Sequence, residues 1–79
     1  MKLEELLNVM EETENIDIWV DKTEDIDVET TKEIFDDVEV IDVKNSLGYE
    51  AIKDSQVWSI GRTFFETIEI RILKEDKSE

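Results

Sequence analysis

The chain has 79 residues, enough for one domain whose buried area leaves a modest margin of stability without disulfides, a metal or a partner subunit. It contains no cysteine and no histidine, which removes disulfides, thiolate metal sites, the thiol nucleophile, and the commonest general base and metal ligand. Its net charge of −14 argues against direct binding to DNA, RNA or anionic lipid and makes basic surfaces the natural partners.

The first segment places Leu3, Leu6, Leu7 and Met10 on one stripe, with Glu4, Glu5, Glu11 and Glu12 between or after them, which predicts an amphipathic helix over about residues 2–12. Residues 16–21 alternate Ile16, Ile18 and Val20 against Asp17, Trp19 and Asp21, the period of two of a strand with one buried face. A polar connection over 21–25 follows. Ile26 and Val28 then alternate with acids like a short strand, while Thr30-Thr31-Lys32-Glu33 has the spacing of a helix capping box and predicts a brief helical turn at 30–36. Residues 38–43, VEVIDV, are rich in β-branched side chains and read as a strand ending in a turn at 45–48. YEAIKD and QVWSIG are two further strand candidates joined by a tight turn at Asp54-Ser55. Ile68, Ile70 and Ile72 alternate with Thr67, Glu69 and Arg71 and predict a central or near-central strand.

The expected architecture is α+β: an N-terminal amphipathic helix packed on a small, mostly antiparallel sheet of about four to five strands, with a short second helical turn. Residues 1–74 are expected to form the domain and 75–79 a frayed acidic tail. No apolar run is long enough to cross a bilayer and the amino terminus is acidic, so the reading is a soluble, cytoplasmic protein.

Charge is distributed unevenly. Residues 1–42 hold sixteen acids and three bases, a net −13, whereas residues 43–79 hold seven acids and six bases, a net −1. Within 23–42, nine of twenty side chains are carboxylates against the single base Lys32, a self-repulsion that opposes compaction unless a partner, an ion or plain solubility compensates. A calcium loop is one candidate use, since Asp25, Asp27 and Glu29 open like an EF-hand. However, Thr30 stands where the sharp turn needs glycine, and Ile26 and Val28 look like core-facing strand residues, so no metal site and no cofactor is assigned. Without histidine or cysteine, the serines have no activating base, and paired carboxylates would need a substrate cleft that a fold this small hardly provides; the chain reads as a non-enzyme.

The acids suit recognition better. Side chains two apart on a strand lie about 6.6 to 6.8 Å apart, close to the phosphate spacing of a nucleic-acid strand. Glu24, Asp25, Asp27, Glu29, Glu33, Asp36, Asp37 and Glu39 are therefore the candidate partner-binding residues. Trp19 lies opposite the apolar side of its strand, and of the adjacent Phe64 and Phe65 only one can face the core, so Trp19 and Phe65 are candidate aromatic anchors.

The opening "MKLEELLNVMEETENIDIWV" and the closing "ETIEIRIL" resemble the short acidic helix and alternating final strand of many small bacteriophage-encoded proteins. In size and charge the chain is similar to anti-CRISPR proteins and other DNA mimics. That resemblance implies an inhibitor acting on a basic nucleic-acid-binding host protein, such as a CRISPR effector nuclease, by competing with DNA or RNA. The competing expectation is a small phage or bacterial assembly or adaptor module that works through protein–protein or homodimer contacts of its aromatic residues.

Overall fold

The computed structural model describes residues 1–22, 31–63 and 66–73. Their order is α1 (Leu3–Val9), β1 (Asn15–Asp21), β2 (Lys32–Glu39), α2 (Val40–Lys44), α3 (Tyr49–Ile52), β3 (Val57–Arg62) and β4 (Ile68–Leu73). The four strands form one mixed sheet in the order β2-β1-β4-β3, and the helices make the fold α+β. The central strands β1 and β4 run parallel, whereas both outer pairs are antiparallel.

The apolar layer follows from the two periods in the sequence. Leu3 and Leu7 of α1, Ile16 and Ile18 of β1, and Ile70 and Ile72 of β4 are fully or almost fully buried in one cluster, with Leu6, Met10, Val20, Phe35 and Ile68 packed around it. Parallel pairing sets Ile16 beside Ile68, Ile18 beside Ile70 and Val20 beside Ile72, so one sheet face is a continuous aliphatic surface. At about 25 cal/mol per Å² of apolar area removed from water, this layer is the main stabilising contribution.

Long-range backbone hydrogen bonds satisfy the helix ends. The Leu3 and Glu4 N–H groups donate to the carbonyls of Ser55 and Lys53, and the Lys2 N–H donates to the Glu5 carboxylate at 2.8 Å. Likewise, the Val40 and Ile41 N–H groups at the start of α2 donate to the carbonyls of Glu14 and Glu12. These are donors that a helix cannot satisfy within itself. The second set also explains why α1 stops at Val9 rather than reaching residue 12: the chain turns at Glu11–Glu14, two of its carbonyls cap another helix, and the acids there would face the negative end of an extended α1.

Three expected elements differ. Of the expected helical turn at 30–36, residues 32–36 are instead part of strand β2, in which Phe35 lies opposite Ile18 and Val38 opposite Ile16, and Thr30 lies outside the described residues. Thr31 uses its hydroxyl to donate to Asp21 across the sheet. The strand at 38–43 keeps only Val38 and Glu39; α2 begins at Val40, because Val40 and Val43 at helical spacing both reach the core and are fully buried. YEAIKD is the short helix α3 with its C-terminal turn, so Asp54 and Ser55 link a helix to a strand and form no hairpin. Tertiary burial overrides the β preference of Val and Ile here. The strands at 16–21, 57–62 and 68–73 agree with expectation. The expected short strand at 26–28 and the acidic tail lie outside the described residues. No helix among the described residues is long and apolar enough to cross a membrane.

Candidate functional site

The side chains between those of the core point to the sheet face opposite α1. From β1 these are Asp17, Trp19 and Asp21; their parallel neighbours on β4 are Glu69 and Arg71, and Glu33 of β2 lies opposite Trp19. This face has two parts with different electrostatics.

At one end, Asp21 and Arg71 form a buried pair. The Arg71 Nη1 donates to both Asp21 carboxylate oxygens at 3.0 and 3.2 Å and to the Thr31 hydroxyl oxygen at 3.1 Å, while its Nε donates to Glu69 at 3.0 Å. The Thr31 hydroxyl and the Trp58 indole N–H also donate to Asp21, at 2.6 and 2.9 Å. The Arg71 guanidinium carbon sits 5.1 Å from the centre of the Trp19 ring, within cation–π range. Burial alone would push the Asp21 carboxyl up. The hydrogen bonds from Thr31, Arg71 and Trp58, together with the Arg71 charge, outweigh it and hold Asp21 below its ordinary value of 3.8. Every charge in this cluster is answered, as a structural ion pair requires.

At the other end, Asp17 is 8% exposed and accepts the Asp37 N–H at 2.6 Å. Carboxylate oxygens of Asp17, Glu33 and Asp36 all lie within 4.8 Å of one another. Two bulges in the β1–β2 ladder, between Ile16 and Ile18 and between Ile18 and Trp19, shift the register and bring Glu33 and Asp36 to the Asp17 side. Asp37 is left-handed, with φ 53°, and its carboxylate accepts the Thr67 hydroxyl at 3.3 Å. A cleft of about 420 Å³ opens here, lined by Asp17, Trp19, Asp36, Asp37, Thr63, Thr67 and Glu69.

No ion pair among the described residues reaches Asp17, Glu33, Asp36 or Asp37. Burial raises the Asp17 carboxyl above its ordinary value; the Asp37 N–H partly counters this, and the charges of Asp36, Asp37 and Glu69 add to the rise. Glu33 is raised by partial loss of hydration and by Asp36, Asp17 and Glu69. Like charges this close repel by about 1 kcal/mol per pair in water and about 4 kcal/mol at the effective dielectric near a protein surface. A cation entering the cleft removes that repulsion. A lysine ammonium, an arginine guanidinium or a divalent ion has the right charge, and Trp19 provides an aromatic wall beside it. The Trp19 Nε1 is buried without a hydrogen-bond partner among the described residues.

Of the residues expected to bind a partner, Glu33, Asp36 and Asp37 meet at this end of the sheet, but Glu33 and Asp36 do so from a bulged strand and not from a helical turn. Glu39 is half-buried opposite Asn15 and does not line the cleft. Trp19 is half-buried between the cleft and Arg71. Glu24, Asp25, Asp27, Glu29 and Phe65 lie outside the described residues. Asp17 and Glu69 were not among the expected binding residues. Their alternation with the isoleucines put both on non-core faces, but it did not indicate that their strands are neighbours. Comparison of the chain with protein-family models, curated proteins and solved structures finds no match.

Proposed function

We propose that the protein is a non-enzymatic acidic inhibitor, whose cleft at Asp17, Asp36 and Asp37, with Glu33 beside it, receives basic side chains of a nucleic-acid-binding protein. The observation that carries this reading is the convergence of three carboxylates, Asp17, Glu33 and Asp36, without a cation among the described residues, two of them held above their ordinary pKa. A protein ligand that brings lysine or arginine relieves this repulsion. It would do so where the partner otherwise holds phosphates, so binding and nucleic acid exclude each other. A CRISPR effector nuclease, with its basic channel and PAM-reading arginines, is one partner of this chemistry. Multivalent charge speeds the encounter; Trp19 beside the acids adds selectivity for a cation that can stack.

The test uses two probes, an oligoarginine peptide and a guide-loaded effector nuclease cleaving its DNA target. Wild-type protein should bind the peptide with an affinity that falls as salt rises, and should inhibit cleavage in competition with DNA. The double variant E33K/D36K, altered at two exposed positions, should lose at least about tenfold in peptide affinity, since each reversal turns attraction into repulsion at contact distance. Equal peptide binding by wild type and a correctly folded double variant would overturn the assignment of the cleft. Peptide binding without inhibition would redirect the search to another basic partner.

A further inference from the structure

The two outer strands of the sheet are protected to different degrees. On β2, Lys32, Glu33, Asp36 and Asp37 are exposed, two bulges interrupt the ladder, and Asp37 is left-handed. Charge, bulges and local twist are the means by which an edge strand is kept from pairing with another chain. β3 carries no carboxylate and one base, Arg62. Ile60 at its middle is 52% exposed, and Ser59 and Gly61 on either side are uncharged. Its single bulge lies at the start, between Val57 and Ser59, where the Val57 N–H donates to the Met1 carbonyl and Lys2 bridges Gln56. Among the described residues nothing pairs with the outer edge of β3 beyond that point.

We propose that this open edge pairs antiparallel with β3 of a second copy, joining two four-stranded sheets into one of eight strands. The occupant follows from charge. Each copy carries −14, so contact through β2 or the acidic cleft would bring carboxylates together, whereas among the described strands β3 alone carries none. It is also the strand at the far edge from β2, and edge-to-edge joining keeps the two acidic strands at opposite ends of the combined sheet. A basic partner would find no carboxylate on β3 to attract it. The pairing is also self-complementary. A two-fold axis through Ile60 sets the two exposed isoleucines against each other and places Ser59 across from the copy's Gly61, within the part of β3 that lies beyond its bulge. Directly opposed residues then share a face of the sheet, as antiparallel pairing requires. One strand per copy is a small interface, so the association is weak and concentration-dependent.

Sedimentation velocity of the full chain is the test, over a range of protein concentrations and at salt levels on either side of effective screening, about 0.01 M and about 1 M. The dimer should grow with concentration and, because the copies repel at long range, grow further with salt. This is the opposite salt dependence to capture of a basic partner, so the two proposals fail separately. The variant I60K should be monomeric throughout. G61E should be monomeric as well; a Cβ at Gly61 meets nothing within 4 Å, so a side chain there has room. I34K, on the β2 edge, should dimerise like wild type. A chain that stays monomeric at high salt and high concentration, or a dimer lost in I34K and kept in I60K and G61E, would overturn the proposal.

Discussion

Asp17 and Asp21 lie four residues apart on one strand, on one face of the sheet, and both are buried, yet the fold treats them differently. Asp21 is 1% exposed and receives hydrogen bonds from Thr31, Trp58 and Arg71. Asp17 receives one backbone N–H from Asp37 and faces two further carboxylates. The first is a structural charge, fully neutralised by its own chain. The second is a charge the described chain leaves uncompensated, and its location beside a cleft is what points to a ligand from outside. Burial of an acid is therefore uninformative by itself; its partners separate the two roles.

The most severe way to break this contrast is to remove the cation. Arg71→Met leaves Asp21 buried with only neutral donors, and should destabilise the fold by about 3–5 kcal/mol, the usual cost of breaking a buried pair from one side; urea denaturation measures it. The complementary change, Asp17→Asn, keeps an oxygen for the Asp37 N–H and deletes the repelling charge. It should raise stability by about 0.5–2 kcal/mol, as relief of unfavourable charge commonly does, while weakening the binding of a basic peptide. A fall in melting temperature for this variant would show that Asp17 is structural after all. Thr31→Val removes one donor to Asp21 and the acceptor for Arg71 Nη1, and should cost about 1 kcal/mol, the typical net value of a hydrogen bond.

The mildest probe is pH, and its sign follows from the two directions of shift. Asp17 and Glu33 are raised in the folded state, so the fold binds their protons more readily than the unfolded chain does. Their ionisation costs stability as pH rises through the raised values, and stability is regained as pH falls toward 3.8 and 4.5, their ordinary values. Asp21 is lowered, so its contribution is present above 3.8 and is lost as pH falls further through its folded pKa. Thermal melts should give a stability that rises on mild acidification from neutrality and declines below about pH 3.8. In Asp17→Asn the mild-acid rise should shrink while the steep acid decline remains.

Much of the fold can be read from local pattern. The stripe Leu3, Leu6, Leu7, Met10 and the alternations around Ile18 and Ile70 place α1, β1 and β4, because each periodicity persists long enough to define one buried face. Residues 30–52 cannot be read this way. Val38, Val40 and Val43 fit a strand as well as a helix, and the choice depends on the carbonyls of Glu12 and Glu14, which accept the first N–H groups of α2. Glu33, Asp36 and Asp37 are visible in the sequence as acids, but their convergence with Asp17 depends on two bulges that no local signal marks.

By itself the sequence determined composition, charge, the absence of imidazole and thiol chemistry, and which faces of three elements are apolar, since these depend on residue identity and short-range spacing. Only the tertiary structure decided that β1 and β4 are parallel neighbours, and so that Asp21 acquires Arg71 from fifty residues away. It also decided that among the described residues Asp17 gains only carboxylates and a backbone N–H, and that β3 is left at an edge without acids. Electrostatic roles are set by distances of a few ångströms between side chains, and these distances exist only after strands far apart in the chain have paired.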